Sequence, residues 1–346
     1  MNFRAASSST GLLLLATLVL PSLASFASLA SLTAAEKADP GLIAIEVEQA
    51  GPDYVVQGEY LSAGKPALGV QVIANGKGTF TAVILPGGLP GAGWDGKTRQ
   101  ELNGQTSGSE TTFSGEVGKV VISAGTLTVT GADGKAVTLK KTNRVSPTMG
   151  AKPPAGAVVL FDGSSVDAWD GKGKVETVGG EKLLASGPET KAKFTSYQLH
   201  LEFRTPFKPA VKGQDRGNSG VYVHRTYEFQ VLDSFGLVPE KNNAGSLYTL
   251  IPPLVNACFP PLTWQTYDID FSGPQFDAAG KKAKNARATV TLNGITVQDD
   301  LEIPHGTGAN KKRPELPEGG PLWLQDHANP VFFRNVWLMP KLMPKK

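Results

Sequence analysis

The chain has 346 residues, 40% hydrophobic and 19% charged, with a formal net charge of +3. That length exceeds one ordinary core and suits about two domains, and the composition excludes a disordered chain. The basic residues are dispersed apart from Lys311-Lys312-Arg313 and Lys345-Lys346, so the charge pattern excludes a nucleic-acid footprint. Forty glycines and 25 prolines, scattered among short alternating runs, predict many turns and an all-β chain.

Residues 1–35 read as a signal peptide. Arg4 supplies the positive charge and Leu12 to Leu20 a short apolar run. Ser28-Leu29-Ala30 or Thr33-Ala34-Ala35 offers small residues for cleavage. The run is broken by Pro21 and is short for a membrane span. The expectation is an exported protein, periplasmic or secreted, with no transmembrane span in its mature form. Cys258 is the only cysteine, so no intrachain disulfide forms, and it reads as a small buried apolar residue.

Residues 41–143 predict a small all-β accessory unit, a sandwich or barrel. Its strands are expected at Tyr54–Tyr60, Leu68–Ile73, Thr79–Ile84, Glu116–Ile122, Thr126–Thr130 and Ala136–Leu139. Asn75-Gly76 and Asp133-Gly134 supply turns. The glycine-rich run Leu85–Asp95 lacks the lysine and strand-to-helix setting of a phosphate loop, and reads as a structural or interdomain loop. Residues 144–156, rich in proline, glycine and small residues, form a linker. A larger unit spans 157–346.

In that larger unit, Asn218–His224 and Glu228–Asp233 read as adjacent strands. Val221, Val223, Phe229 and Val231 point one way; Asn218, Tyr222, His224, Glu228 and Gln230 point the other. Acids, amides, a phenol and an imidazole on one face suit sugar hydroxyls. The strand Tyr197–Arg204 alternates as well, with His200, Glu202 and Arg204 opposite its apolar face. If these strands are neighbours, one polar face gathers Glu202, Arg204, Asn218, Tyr222, His224, Glu228 and Gln230. The alternative is a wet outer face held by cross-strand ion pairs.

Asp233 falls opposite Glu228 by alternation, and a bulge would return it to the polar face. The Glu-x-Gln-x-x-Asp spacing is close to the Glu-x-Asp-x-x-Glu of jelly-roll glucanases, with the middle acid and last glutamate altered. Retaining hydrolysis needs two carboxyls about 5 Å apart, and Gln230 opposes it. Further strands are expected at Trp264–Phe271, Ala288–Val297 with a tight Asn293-Gly294 turn, Leu322–His327 and Val331–Val336. Gln325 and His327 share a face. Asp162, Asp233, Asp268 and Asp270 are oxygen ligands without calcium-loop spacing, so a divalent metal stays possible and no cofactor is certain.

Taken in order, several motifs of residues 157–340 resemble the 3-keto-disaccharide (3-keto-glycoside) hydrolase family. They are Leu160-Phe161-Asp162-Gly163 with Trp169, Leu201-Glu202-Phe203-Arg204, Asn218-Ser219-Gly220-Val221-Tyr222 and Tyr227-Glu228-Phe229-Gln230-Val231-Leu232-Asp233. Trp264-Gln265-Thr266-Tyr267-Asp268, Leu292-Asn293-Gly294, Leu324-Gln325-Asp326-His327 and Phe333-Arg334-Asn335-Val336 complete the set. The resemblance implies a concanavalin- or laminin-G-like jelly roll binding an oxidised sugar on a concave sheet. It also implies base-catalysed elimination followed by water addition.

For that chemistry, Glu228 is expected as base from its central position and acid type, and Arg204 with Asn218 or Gln230 as enolate stabilisers. His327 or Tyr222 is expected as acid. Glu202, His224, Asp233, Trp264 and Gln325 are expected to contact substrate. The competing readings are a non-catalytic carbohydrate-binding module, a classical glycoside hydrolase and a structural or adhesive surface protein.

Overall fold

The computed structural model describes residues 41–115 and 118–341. The leader, residues Glu116 and Val117 of one expected strand, and the Lys345-Lys346 end lie outside the described residues.

The first eight strands are β1 Gly58–Ser62, β2 Ala67–Gly76, β3 Thr79–Gly87, β4 Gln100–Ser107, β5 Glu110–Ser114, β6 Lys119–Ser123, β7 Thr126–Thr130 and β8 Ala136–Thr142. They pair antiparallel in chain order, and β8 closes on β1 to make a barrel. Alternation fills it: Tyr60, Val70, Val72, Phe80, Ala82, Ile84, Leu102, Phe113, Val120, Leu127 and Leu139 form its apolar interior. Closure removes the exposed edges that short strands otherwise present.

Two expectations shift here. Tyr54, Val55 and Val56 lie in a short helix, Gly51–Val56, with Pro52 in its first turn and Asp53 accepting from the Gly78 amide. Proline at the start of a helix costs no hydrogen bond, which favours the turn over the strand. The β2–β3 turn centres on Lys77 and Gly78, both at positive φ, two residues beyond Asn75-Gly76.

The remaining strands build two facing sheets and one small hairpin. They are β9 Val158–Phe161, β10 Val175–Val178, β11 Glu181–Ala185, β12 Tyr197–Arg204, β13 Ser219–Val223, β14 Tyr227–Val231 and β15 Gln265–Ser272. Then follow β16 Gln275–Phe276, β17 Lys282–Lys284, β18 Ala286–Leu292, β19 Ile295–Ile303, β20 Trp323–Leu324 and β21 Phe332–Pro340. The large sheet runs β10-β11-β21-β12-β15-β18-β19, with β9 also on β21; the small sheet runs β14-β13-β20.

Leu199, Leu201, Phe203, Tyr267, Ile269 and Phe271 of the large sheet meet Val221, Val223, Tyr227, Phe229, Val231 and Leu324 of the small one. This is a jelly-roll-like sandwich. Phe229 is fully buried, and its truncation to alanine would cost about 3–5 kcal/mol.

The barrel and sandwich belong to one compact unit, Asp39–Lys346. Ile73, Val83, Leu85 and Leu89 turn outward from the barrel and join the sandwich core. Arg144 pairs with Glu59, donates to the Pro90 carbonyl and lies over the Phe259 ring. The glycine-rich run packs there too, since a Cβ on Gly91 would sit 2.4 Å from Ile295.

Residues 232–264 contain no strand. Buried side-chain bonds hold them, such as Asn256 Nδ2 to the Ser234 and Leu237 carbonyls at 2.5 and 2.8 Å.

Candidate active site

The alternation of β12 and β14 is observed, but the two strands lie in different sheets. Strand β12 pairs with β15 and β21, whereas β14 pairs with β13. Phe203 and Phe229 both point into the shared core, so Glu202 and Glu228 point outward on opposite sides of the sandwich. The single polar face expected from sequence is therefore two faces.

On the large sheet, Glu202 is fully committed. Its carboxylate accepts from Arg334 Nε at 2.7 Å, Asn335 Nδ2 at 2.9 Å and the Gly150 amide at 2.6 Å. Burial alone would raise its pKa, but bonds from His200, Asn335, Arg334 and Gly150 outweigh burial and hold it at about 2. His200 bonds Asp268 at 2.6 Å and stacks on Trp337. The segment that crosses this face is the expected linker: Thr148 Oγ1 donates to Asp268, and the Ala151 carbonyl accepts from Asn335 and Trp337. Trp264 lies against the guanidiniums of Arg204 at 5.1 Å and Arg334 at 4.0 Å, and Arg204 donates to the Ile45 carbonyl. A cavity of about 600 Å³ opens beside Glu202, Arg334 and Lys152. Glu202, Arg204 and Trp264 thus belong to a tied-down surface remote from Glu228.

On the small sheet the registers Gly220↔Gln230, Tyr222↔Glu228 and Tyr222↔Trp323 place these residues on one outward face. Glu228 is 1% exposed. Tyr222 Oη donates to Glu228 Oε2 at 2.6 Å. Burial pushes the Glu228 pKa up to about 7, and the Tyr222 bond opposes this only in part. The Tyr222 phenol is itself raised, first by burial and then by the Glu228 charge.

One amide atom of Gln230 lies 3.0 Å from Glu228 Oε1 and 2.8 Å from the Ser219 carbonyl; nitrogen in that position donates to both. Asn218 lies 3.2 Å from the other amide atom. Gly220 makes the room, because a Cβ there would sit 2.5 Å from Glu228 Oε1.

The end of β20 completes this face. The Gln325 amide donates to the Gly220 carbonyl at 2.9 Å, and Leu324 points into the core, so the Gln325 side chain turns outward. Its Oε1 is buried and has no protein donor, so a substrate hydroxyl could serve as one. His327 is exposed beyond the strand, and its carbonyl accepts from Asn329.

Two expected residues serve the fold instead. His224 turns out of alternation at φ +55 and enters the core against Phe271, Tyr197 and Tyr227. Its Nε2 donates to the Thr195 carbonyl, and burial drives its pKa down to about 4, so it is neutral. Asp233 is fully buried beyond the end of β14 and bonds Arg216 Nε at 2.6 Å. Burial raises its pKa against the opposing Arg216 charge. Arg216 also donates to the barrel carbonyl of Ala74, so the pair pins the sandwich to the barrel.

The four aspartates weighed as metal ligands are dispersed: Asp162 bonds Ser164, Asp233 bonds Arg216, Asp268 bonds His200 and Asp270 bonds Lys341. Among the described residues no three His, Cys, Asp or Glu side chains could hold a metal ion together. Among the described residues no helix is long and apolar enough to cross a membrane. Cys258 is buried, and burial pushes its thiol up to about 12.

Sequence reasoning missed three residues of the Glu228 face. Trp323 packs at a tilt against Tyr222 with centroids 4.6 Å apart, and the Arg225 guanidinium lies 3.5 Å from the Trp323 ring centre. The Tyr248 amide donates to the Glu228 carbonyl. Trp323 was visible as the alternation partner of Gln325; Arg225 is a turn residue and Tyr248 a loop residue, with no periodic signal.

The fold is an all-β, jelly-roll-like sandwich, and the outer face of its small sheet sets a buried carboxylic acid among a phenol, amides and an indole. Residues 156–339 match the family described as the 3-keto-alpha-glucoside-1,2-lyase-like domain, and the chain belongs to that family of carbohydrate hydrolases. No curated protein matches the chain.

Three solved structures from Parabacteroides distasonis, each given a provisional glycosyl hydrolase designation, are similar to 54% of this chain. The first is 32% identical over 85% of its own length, with a TM-score of 0.48. The others are 17% and 18% identical over 95% and 99% of their lengths, with TM-scores of 0.37 and 0.38.

Proposed function

We propose that this protein is an exported hydrolase of 3-keto-glycosides, acting by elimination and hydration. The observation that carries the reading is Glu228: a buried carboxyl near pKa 7, held by Tyr222, with an amide at the neighbouring position 230. A base is most effective when its pKa lies near the working pH. Two-carboxylate hydrolysis would want a second acid close by, and Gln230 stands there instead.

A keto group at carbon 3 makes the hydrogen on carbon 2 acidic. Glu228 takes that proton; the C–H pair forms a C2=C3 double bond, and the carbonyl π pair moves to oxygen. The enolate then re-forms the ketone, a C1=C2 double bond appears, and the C1–O bond breaks. The departing oxygen takes a proton from Glu228 or through Tyr222. Water adds to the enone to complete a net hydrolysis. Gln230, Asn218 and Gln325 would hold sugar hydroxyls, with the buried, unpaired Gln325 Oε1 as one acceptor.

Arg204 drops out as enolate stabiliser because its sheet face is opposite. Export rests on the sequence of residues 1–35 and is tested by fractionating expressing cells.

The test of the reaction compares matched 3-keto and ordinary disaccharides, with and without chelator, following the enone by absorbance. Turnover of the 3-keto substrate alone, lost in Glu228→Gln, supports the reading. Release of sugar from the ordinary disaccharide, or full activity in Glu228→Gln, refutes it. Binding of a glycan with no turnover of either substrate would favour a carbohydrate-binding module.

A further inference from the structure

We propose that Arg225 is the substrate-facing cation of the Glu228 site, its guanidinium binding the C3 oxygen of the keto sugar as the enolate forms. This rests on the function proposed above.

The contacts run without a gap from the base to the cation. Glu228 bonds Tyr222, the Tyr222 ring packs at a tilt against Trp323 with centroids 4.6 Å apart, and Arg225 lies over the Trp323 ring at 3.5 Å. Arg204, expected from sequence for this role, and three other partly or fully buried cations are engaged elsewhere. Arg204 and Arg334 flank Trp264 on the opposite sheet. Arg216 holds Asp233, and Lys208 donates to the Asp215 carbonyl and Asn329.

The backbone supports the same assignment. The β13–β14 turn places His224 and Arg225 consecutively at φ +55 and +57, a region where glycine and asparagine are the usual occupants. His224 accounts for its own place, because its ring is buried in the core. Arg225 fills no core. Strained, non-glycine turn positions gather where side-chain placement matters to function. Its ionic partner is Glu189 at 3.2 Å, and both side chains are partly exposed, so the pair is weak and exchangeable. A planar guanidinium stacked on indole is pre-oriented, and a sugar oxygen can replace Glu189 as its acceptor.

In the chemical step Glu228 removes the C2 proton, the electron pair ends on the C3 oxygen, and Arg225 N–H groups donate to that oxyanion. No other reactant is needed. A donor aimed at a developing oxyanion typically contributes about 100- to 1,000-fold to kcat.

Arg225→Ala, Arg225→Gln and Arg225→Lys are compared on a 3-keto-disaccharide, with melting curves and the isotope effect from C2-deuterated substrate. The expected result is a fall in kcat of about 100-fold or more in the neutral variants with little change in KM. The isotope effect should rise in them, and Arg225→Lys should recover part of kcat because it keeps the charge. If one neutral variant does not fold, the other carries the comparison, with Lys as the reference. A folded neutral variant with kcat within twofold of the parent, or one altered in KM alone, overturns the assignment while leaving the reaction intact. A parent enzyme inert on every 3-keto substrate overturns the reaction itself.

Discussion

Replacing Tyr222 with phenylalanine tests the base most directly. The substitution keeps the ring packed against Trp323 and removes one bond, Tyr222 Oη to Glu228 Oε2 at 2.6 Å. A hydrogen bond to a charged group is worth about 1.5–3 kcal/mol, and one pKa unit corresponds to 1.36 kcal/mol. The bond favours the ionised carboxylate, so its loss should raise the Glu228 pKa from about 7 by about one to two units.

The base works only when ionised. The acid limb of kcat/KM should therefore move from near pH 7 in the parent to about pH 8–9 in the variant. At pH 6 the variant should be about 10- to 100-fold slower than the parent, with the gap closing towards pH 9. The assay is kcat/KM against pH on a 3-keto-disaccharide, with thermal melts to show that both proteins are folded. An acid limb that does not move, or that moves to lower pH, would refute Glu228 as the base.

Other outcomes follow from the same geometry. Gly220→Ala would force a Cβ to within 2.5 Å of Glu228 Oε1; turnover should fall at least about 10-fold for a stability loss of about 1–3 kcal/mol, measured by kinetics beside denaturant melts. Arg216→Met should destabilise by about 3–5 kcal/mol because it leaves Asp233 buried and unpaired, and Asp233→Asn in that background should restore part of the loss. The Glu228 carboxyl rises from 4.5 to about 7 on folding, so the folded state keeps its proton to higher pH. That contribution is present in full below about pH 4.5 and fades by about 3 kcal/mol as pH rises to 7, so Glu228→Gln should flatten the melting-temperature profile across that window.

Alternation made much of this fold readable. In β12 and β14 the apolar positions are the core positions, and the polar ones point outward. The Asn293-Gly294 turn stands where expected, with both residues at positive φ between β18 and β19. Sheet membership was not readable. Period-two alternation states which residues share a strand face and carries nothing about which strand lies beside it. So Glu202 and Glu228 were drawn to one face, although β21, more than 120 residues further along the chain, is the neighbour that claims β12.

Strands β4 and β5 were missed because their outward residues are nearly all polar and few apolar positions mark the inner face. His224 and Asp233 sit just past strand ends, where one turn residue cancels the alternation. The partner that settles Asp233 is Arg216, on a loop whose approach leaves no mark in the pattern.

The two glutamates carry the functional argument because they begin alike. Each occupies an outward position of an alternating strand, and each is 1% exposed. Burial alone would raise both. Around Glu202 a guanidinium, an amide, a backbone N–H and an imidazole reverse that effect and bring it to about 2. A carboxylate so held binds protons weakly, and its bonds fasten the segment around Gly150 to the large sheet. Around Glu228 a single phenol donates to one oxygen, with the Gln230 amide near the other, and burial prevails, leaving a carboxyl near 7. Acids whose environments push their pKa values apart have different tasks. The acid with the less complete shell is the one able to give and take a proton near neutrality, and its face also holds Trp323, Gln325 and Arg225.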